Sequence, residues 1–250
     1  MSLPDASEIT LDRLTAEWKI HQLKRGHRFS SDDLLTAWMA TQEVPAPEYQ
    51  LDLGAGLGTV GLSCLYRQPE TKRLVMVEAQ EVSHALAKKT VQYNGLESRV
   101  ELRLGDMRAP GSVPERNYFQ LVTGSPPYIP VGKGLISPHP QRAACRIELR
   151  GSILDYAQVA ARAMTEDGTF VFCMAAADTR SLQAITDAGL FLHVHQEVLF
   201  RAGRNPTIAL FVARKAPPVN GVEVREPFVI RDEEGVFTPG YQTFRQLMGL

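Results

Sequence analysis

The sequence predicts an α/β fold in which a Rossmann-like, seven-stranded, mostly parallel sheet carries helices on both faces. The first observation behind this prediction is an alternation along the chain. Short apolar and β-branched runs are separated by stretches with the apolar spacing of helices, which is typical of βαβ units. The second is a glycine-rich segment, Leu51–Gly58, between the first core strand and the first core helix. A chain of 250 residues is long enough to bury one large core.

Seven core strands and one strand in the tail are predicted from the apolar runs. In chain order these are Gln50–Leu53, Leu74–Val77, Val100–Leu104, Phe119–Thr123, Thr169–Met174, Phe191–Val198, Thr207–Ala213 and Pro227–Ile230. Helical spacing predicts helices over Leu34–Ala40, Thr59–Tyr66, Val82–Tyr93, Leu154–Met164 and Leu182–Ala188. Turn residues at Asn94-Gly95, Asp167-Gly168 and Gly189 are expected to end the last three of these helices.

The segments at both ends are expected to be appendages of a single core domain. The core is predicted to span residues 49–215, and the sequence contains no internal repeat. Residues 1–48 are expected to cover the ligand site and to contribute basic residues. Residues 216–250 are expected to pack on the core as a C-terminal extension.

Charge and cysteine content exclude several classes of protein. The 27 Lys and Arg residues nearly balance the 28 Asp and Glu residues, which argues against a histone-like nucleic-acid binder but allows local basic patches. Cys64, Cys145 and Cys173 form no CxxC pair, so neither a disulfide framework nor a metal site is predicted. The first residues lack the pattern of a secretory leader, and no apolar run suits a membrane helix. A cytoplasmic location without a membrane partner is therefore expected.

The glycine loop predicts a ligand-binding site. Gly54, Gly56 and Gly58 allow positive φ and close approach of a ligand to the backbone, next to a helix N-terminus that favours polar ligand atoms. Gly56–Gly61 also fits the dinucleotide pattern GxGxxG. A nicotinamide oxidoreductase is therefore one hypothesis for this site.

Acidic residues at two strand ends favour a different cofactor, S-adenosylmethionine. Asp52 can meet the ammonium of an amino-acid moiety, whereas it would repel a pyrophosphate. Glu78 ends the second strand and can hold both hydroxyls of a ribose. After the third strand, Asp106 can accept a hydrogen bond from an adenine amino group and Met107 can pack on its ring.

A second motif, Ser125-Pro126-Pro127-Tyr128, follows the fourth predicted strand. Its prolines fix φ and keep the preceding residues extended, so the loop is expected to be rigid. An exocyclic base amine is a poor nucleophile because its lone pair is delocalised into the ring. Acceptors at Ser125 and the Pro126 carbonyl can bind the two amine hydrogens, and Tyr128 can stack on the base. The motif predicts methyl transfer to such an amine, with the base unstacked.

Together these motifs make the sequence resemble class I methyltransferases that act on exocyclic amines through an (Asn/Asp/Ser)-Pro-Pro-(Tyr/Phe) motif. More closely, it is similar to the bacterial family that methylates adenine N6 next to the anticodon of a valine tRNA. The resemblance covers most of the chain and includes Gly26–Leu35, Leu51–Gly58, Ser125–Tyr128 and Pro227–Asp232. It implies the class I methyltransferase fold, S-adenosylmethionine as cofactor and tRNA as substrate.

The same resemblance implies roles in the N-terminal segment and leaves the target base open. In the family, the segment corresponding to Gly26–Leu35 contacts the cofactor, which implies such contacts for Phe29, Ser30 and Asp32. The usual Asn of the catalytic loop is Ser125 here. Serine also occurs in cytosine-N4 enzymes of the wider class, so cytosine N4, DNA or a protein glutamine amide are alternative acceptors. A non-catalytic RNA-binding relative is a further alternative.

Three acid-poor stretches are predicted to contact the phosphate backbone of RNA. The first lies near the N-terminus, the second follows the catalytic loop, and the third lies around the last predicted hairpin. Their candidate RNA-binding residues are Lys24, Arg25, Arg28, Arg142, Arg146, Arg201 and Arg204. On one helix, Arg142, Arg146 and Arg150 would share a face.

Overall fold

In the computed structural model, the described residues are 5–133 and 137–250, and they form an eight-stranded mixed sheet with helices on both faces. The expectation about a secretory leader concerns residues 1–4 in part, and these lie outside the described residues. No helix in the described ranges is both long enough and apolar enough to cross a membrane.

The helices and strands follow the predicted alternation. The helices are α1 (Ser31–Glu43), α2 (Thr59–Arg67), α3 (Glu81–Tyr93), α4 (Pro140–Arg146), α5 (Ile153–Ala163), α6 (Arg180–Asp187) and α7 (Pro239–Leu247). The strands are β1 (Ile9–Arg13), β2 (Lys19–Leu23), β3 (Tyr49–Leu53), β4 (Arg73–Glu78), β5 (Val100–Leu104), β6 (Phe119–Gly124), β7 (Met164–Ala175), β8 (Phe191–Leu199), β9 (Ile208–Arg214) and β10 (Glu223–Val229). A short 3-10 turn, Ala6–Glu8, precedes β1.

The order of the large sheet is β10-β8-β9-β7-β6-β3-β4-β5, and β1 and β2 form a separate antiparallel hairpin. Only β9 runs against its neighbours within this sheet of the described chain. The predicted Rossmann-like α/β class is confirmed, and the strand predicted in the tail, observed as β10, joins the seven core strands as the eighth strand of the sheet. Because β3 lies between β4 and β6, the chain passes to opposite sides of β3 and leaves a crevice at the carboxyl ends of these strands.

Two apolar layers hold the helices on the sheet. The helices α1, α2 and α3 contribute side chains such as Leu35, Leu62 and Leu86 to one layer. The helices α5 and α6 contribute Ala157 and Ile185 to the other. The central parallel strands are buried on both faces, as continuous apolar runs such as the one in β4 require.

The start of α1 is fixed by its own sequence. Ser30 is the N-cap, and its hydroxyl accepts a hydrogen bond from the N–H of Asp33. The Asp33 carboxylate in turn accepts from the backbone N–H of Ser30 at 3.2 Å, which completes a capping box. Leu34 and Leu35 then bury the helix against the core. The cap places two consecutive carboxylates, Asp32 and Asp33, at the crevice.

The predicted end of the third core helix was wrong. The expected helix was Leu154–Met164, closed at Asp167-Gly168, but α5 ends at Ala163 and Met164 already pairs with Phe119 in the sheet. Gly168 lies inside β7, where an added Cβ would be 2.9 Å from the Phe119 carbonyl oxygen. The glycine therefore permits close strand approach at an irregularity and does not end a helix.

Three further elements were not predicted from the sequence. They are the β1–β2 hairpin, the short helix α4 and the C-terminal helix α7. Helix α7 carries recognisable signals, since Pro239 occupies its first turn and the Thr238 hydroxyl accepts from the N–H of Tyr241 at 3.2 Å.

Candidate active site

A cavity of about 530 Å³ lies at the carboxyl edge of β3, β4 and β6. Its walls come from the glycine loop after β3, the loop after β6, the start of α1 and helix α4. Residues 26–30, here called the strap, line it just before α1 begins. Four carboxylates line the cavity: Asp32, Asp33, Asp52 and Glu78.

The glycine loop adopts the conformation that its sequence predicts. Gly54, Gly56 and Gly58 have φ values of 58°, 56° and 88°, and Gly58 is the N-cap of α2. A Cβ on Gly54 would lie 1.9 Å from the Tyr156 hydroxyl, whereas one on Gly56 would meet no atom closer than 4.0 Å. Gly54 is thus required by packing, and the space beside Gly56 is available to a ligand.

Asp52 is almost fully buried and already bound by the protein. Its carboxylate accepts from the Thr123 hydroxyl at 2.8 Å and from the N–H of Gly61 at 3.0 Å. Burial raises the pKa of Asp52 to about 7, against the opposing effect of these two hydrogen bonds. The residue ties β3 to β6 and to α2, and it also lines the cavity, where a cationic group would favour its ionised form.

Glu78 ends β4 in a geometry suited to a diol. Its carboxylate accepts from the N–H of Gly56 at 2.8 Å and from the N–H of Gln80 at 2.6 Å. Burial raises its pKa above the ordinary range. The two backbone bonds fix the carboxylate at the rim of the glycine loop, so an acceptor for ribose hydroxyls lies next to the open side of Gly56.

The Ser125–Tyr128 loop forms another wall of the cavity, after the strand β6 that neighbours β3. Ser125, Pro126, Pro127 and Tyr128 all line the cavity. The Tyr128 hydroxyl donates to Asp32 at 3.1 Å and lies 3.2 Å from the Cys173 sulfur. Burial raises the pKa of Tyr128 well above its usual value, so this tyrosine stays a neutral donor. The network ties the loop to α1 and to β7.

Asp33 is the acidic residue that sequence reasoning missed. Burial raises its pKa to about 6, and the charge of Asp32 adds to the shift, while the hydrogen bond from the Ser30 N–H opposes it. The sequence offered one signal, the spacing of Ser30 and Asp33 in a capping box, but that signal concerns the helix start and not the cavity.

The mouth of the cavity is cationic. Arg28, Arg142, Arg146 and Arg150 line it, and the last of these follows α4, so the three downstream arginines do not share one helix face as expected. Arg142 donates to the carbonyl of Gly26 at 3.1 Å. Arg28 pairs with Asp12 at 2.9 Å.

The strap is held in place by two glutamines. The buried side chain of Gln141, on α4, accepts from the N–H of His27 at 3.0 Å and donates to Ser83 on α3 at 3.1 Å. Gln22, on β2, accepts from the N–H of Phe29 at 2.9 Å. Phe29 and Ser30, both expected at the cofactor site, line the cavity, and the strap that contains them is bound by α4 and by β2.

Several sequence-predicted site residues lie outside the cavity lining. Gly58 shapes the loop without facing the cavity. Asp106 forms an ion pair with Arg108 at 2.6 Å, whereas its neighbour Met107 is buried and lines the cavity. Lys24 and Arg25 are exposed beside the strap.

The third basic stretch lies on the same edge of the sheet, farther along it. Arg201 and Arg204 occupy the turn between β8 and β9, and β8 is three strand positions from β6. At about 4.8 Å per position, they lie roughly 15 Å from the Ser125–Tyr128 loop along the sheet. The Arg201 guanidinium donates to the carbonyl of Glu233 at 3.1 Å.

Comparisons with known proteins agree with this geometry. Residues 30–133 match the family model described as methyltransferase small domain. A curated relative, the tRNA1(Val) (adenine(37)-N6)-methyltransferase of Cronobacter sakazakii, is 24% identical over 83% of this chain and 82% of its own length. The release factor glutamine methyltransferase of Mycolicibacterium smegmatis is 30% identical over 40% of this chain and 34% of its own length. A solved structure of a predicted O-methyltransferase from Agrobacterium tumefaciens has a TM-score of 0.64 and 18% identity, and the match covers 87% of this chain and 97% of that one.

The matched family model and the relatives make the chain an S-adenosylmethionine-dependent methyltransferase, and its fold is that of solved methyltransferase structures. The predicted resemblance to the valine-tRNA adenine-N6 family is confirmed at low sequence identity. The residues present fit the cofactor, since a cavity lined by four carboxylates suits a ligand with a sulfonium and an ammonium. Among the described residues, no three His, Cys, Asp or Glu side chains are grouped to hold a metal ion.

Proposed function

We propose that this protein transfers a methyl group from S-adenosylmethionine to the exocyclic N6 of adenine in tRNA. One observation carries the proposal. The Ser125–Tyr128 loop lines the same cavity as the glycine loop and Glu78, below a cationic mouth. The relatives named as tRNA adenine-N6 methyltransferases support the choice of base and of RNA.

In this proposal each wall of the cavity has its own task. Asp52, Gly54, Gly56 and Glu78 hold the cofactor, together with Phe29, Ser30, Asp32 and Met107. When bound, S-adenosylmethionine supplies an electrophilic methyl group on a positively charged sulfur. Ser125 and the Pro126 carbonyl accept hydrogen bonds from the target amine, and the ring of Tyr128 supports the unstacked base. Cavity-lining arginines near the mouth hold the RNA backbone.

Nucleoside mass spectrometry of tRNA from a deletion strain tests the proposal. We expect N6-methyladenosine to disappear from the tRNA of that strain and to return when the gene is restored. A gene copy encoding Ser125→Ala should fail to restore the mark although the variant still binds S-adenosylhomocysteine. An unaltered tRNA profile in the deletion strain would contradict the proposal.

The RNA part of the proposal has a matched pair of variants. Arg146 lines the cavity, whereas Arg116 is exposed before β6, at the opposite edge of the sheet. We expect Arg146→Ala to weaken retention of a valine tRNA transcript and to reduce its salt dependence, because phosphate contacts release counterions. Arg116→Ala should leave retention unchanged. Equal effects of the two substitutions would argue against RNA at the cavity mouth.

A protein glutamine amide is a second candidate acceptor. The partial match to a release factor glutamine methyltransferase favours it, since an amide nitrogen is also a delocalised amine. The purified protein with radiolabelled cofactor can be offered valine tRNA, duplex DNA and a bacterial release factor in parallel. Label in the release factor alone would replace the tRNA proposal with this one, and RNA retention without label would favour a non-catalytic binder.

A further inference from the structure

The hydroxyl of Ser125 has a buried partner on the neighbouring strand. Strands β6 and β7 run parallel and Gly124 pairs with Phe172, so Ser125 and Cys173 follow at the next position of each chain segment. Their side chains meet, with the Ser125 oxygen 3.5 Å from the Cys173 sulfur. Ser125 lines the cavity, whereas Cys173 is fully buried and does not line it. Cys173 can therefore influence the cavity only through the side chains that it contacts.

The same sulfur contacts a second residue of the loop. The Tyr128 hydroxyl lies 3.2 Å from the Cys173 sulfur and donates to the Asp32 carboxylate at 3.1 Å. Four side chains thus form one hydrogen-bonded chain, which runs from Ser125 through Cys173 and Tyr128 to Asp32. Burial raises the pKa of Cys173 to about 12 and that of Tyr128 well above its usual value. Both groups therefore keep their single proton at neutral pH.

The carboxylate at the end of this chain sets the direction of each hydrogen bond in it. An ionised carboxylate only accepts, and Asp32 lies in the first turn of α1, where the helix dipole favours its ionised form. Because the Tyr128 proton goes to Asp32, the Tyr128 oxygen accepts from the Cys173 S–H. The thiol proton is then used, so the sulfur accepts from the Ser125 O–H. Within this chain Ser125 is only a donor, and the lone pairs of its oxygen remain available to a group in the cavity.

We propose that Cys173 is a positioning residue that fixes the direction of the Ser125 hydroxyl and so keeps its oxygen an acceptor for the target amine; this inference rests on the proposed function. An exocyclic amine offers its hydrogens to Ser125 while its nitrogen lone pair attacks the methyl group. A Ser125 hydroxyl turned the other way would donate its proton to that lone pair and block the attack. A hydroxyl without a fixed partner rotates to suit its surroundings. By accepting the Ser125 proton, the Cys173 sulfur excludes the blocking orientation.

An infrared measurement without substrate tests the direction of the chain. The S–H stretching band of Cys173 is identified in the cofactor-free protein by its loss in Cys173→Ala, at pH 8, where Asp32 is ionised although burial raises its pKa. An S–H group that loses its acceptor absorbs at higher frequency. We expect Tyr128→Phe, which removes the acceptor, to shift the band upwards, and Ser125→Ala, which removes a donor, to shift it much less. An equal or larger shift in Ser125→Ala, or no shift in Tyr128→Phe, would overturn the inference.

Kinetics with a valine tRNA transcript test the effect on catalysis. We expect Cys173→Ala to lower kcat about 10-fold, the size of one neutral hydrogen bond at the reacting group, with little change in KM for S-adenosylmethionine. Cys173→Ser, whose hydroxyl can also donate and accept, should restore kcat to within about 3-fold of the wild-type value. The double variant of Cys173→Ala with Ser125→Ala should be no slower than Ser125→Ala alone, because Cys173 acts through Ser125. A Cys173→Ser variant as slow as Cys173→Ala would overturn the inference.

Cys64, on α2, provides a matched control for the loss of a buried thiol. It is also fully buried, its thiol donates to the carbonyl of Ala37 on α1 at 3.7 Å, and it does not line the cavity. Cys64→Ala should lower Tm about as much as Cys173→Ala but keep the wild-type kcat. Equal losses of kcat in the two variants would leave Cys173 only a packing role and overturn the inference.

Two further outcomes separate this inference from the proposed function. Methylation of tRNA by the wild type, together with an unaltered kcat in Cys173→Ala, would overturn the inference and leave the proposed function standing. Wild-type protein that methylates no tRNA would defeat the proposed function and with it the catalytic part of the inference, whereas the infrared shifts would still report the direction of the hydrogen bonds.

Discussion

Neighbouring glycines in the loop after β3 serve different purposes, although the sequence makes them look equivalent. At Gly54 an added methyl group would collide with the buried Tyr156 hydroxyl, whereas at Gly56 it would enter open space. Both residues have positive φ, which costs about 1–2 kcal/mol for a residue with a Cβ. The clash at Gly54 adds an overpacking cost of about 1–3 kcal/mol.

We therefore expect Gly54→Ala to lower the free energy of unfolding by about 2–5 kcal/mol and Gly56→Ala by only about 1–2 kcal/mol. Gly56→Ala should instead weaken binding of S-adenosylhomocysteine more than it weakens the fold. Urea denaturation and calorimetric titration of both variants measure the two effects. Equal losses of stability in the pair would contradict the packing argument.

Asp52 is predicted to strengthen binding of the cationic cofactor and, once ionised, to lower the free energy of unfolding of the cofactor-free protein. Its pKa is raised from 3.8 to about 7, so the folded protein holds this proton more tightly than the unfolded chain does. The contribution of Asp52 to the free energy of unfolding therefore falls as the pH rises from about 4 to about 7. Asn can keep one of the two hydrogen bonds without carrying a buried charge.

We expect cofactor-free Asp52→Asn to show a higher Tm relative to wild type at pH 8 than at pH 5, together with weaker binding of S-adenosylmethionine. Thermal unfolding across this pH range, with and without ligand, measures both. Asp167→Asn, at an exposed position on β7, is the control and should leave the pH dependence unchanged. A constant Tm difference between Asp52→Asn and wild type at all pH values would exclude this role.

Local sequence patterns could predict the glycine loop and the Ser125–Tyr128 loop, because each performs its task within one short stretch. They could not predict the partners that reach these loops from elsewhere. Thr123 binds Asp52 from β6, and Cys173 reaches Ser125 and Tyr128 from β7. Both are ordinary strand residues, and their roles follow from strand order and register, which no local pattern encodes.

Among the elements, the buried strands were predicted well because their apolar runs are continuous. The β1–β2 hairpin was missed because its strands alternate polar and apolar residues weakly and pair only with each other. Helix α4 has seven residues and is too short for helical periodicity to be distinctive. These two missed elements bind the strap. The sequence therefore predicted the loops at the strand ends better than the strap and the elements that bind it.

The connection between α4 and the strap yields a prediction at the scale of these elements. Gln141→Ala would remove the acceptor of the His27 N–H. It would also remove the donor that binds the Ser83 hydroxyl oxygen. An unpaired buried polar group costs about 1–3 kcal/mol. We expect a lower Tm and a raised KM for S-adenosylmethionine, because the strap would no longer be fixed over the cavity.

A glutamine on α6 serves as the control for this substitution. The side chain of Gln183 is exposed and donates to Asp187 at 2.7 Å, far from the strap in sequence. Gln183→Ala should change neither Tm nor KM appreciably, as is usual for exposed positions. If Gln141→Ala lowered Tm but left KM unchanged, the glutamine would stabilise α4 without positioning the strap.

On the scale of the whole molecule, the near-zero net charge conceals a separation of charge. Acids line the interior of the cavity, and arginines surround its mouth. Arg142 and Arg146 lower the pKa of His27, in addition to the larger effect of its burial, so this histidine stays neutral at the mouth. The two regions suit two different ligands, a cationic cofactor inside and a polyanion outside.

This separation predicts that cofactor binding releases protons. In the empty cavity the pKa values of Asp52 and Asp33 are raised to about 7 and about 6, so near pH 6.5 these carboxyls carry a substantial fraction of a proton. A ligand with positive sulfonium and ammonium groups favours the ionised carboxylates and lowers both pKa values. Isothermal titration of S-adenosylmethionine in phosphate and in Tris at pH 6.5 should give different apparent heats, because the released protons bind to the buffer and the two buffers differ in their heat of protonation. The difference should shrink at pH 8.5, where Asp52 is already ionised, and in Asp52→Asn. Equal heats in both buffers at pH 6.5 would show that the carboxylates are ionised before the ligand arrives.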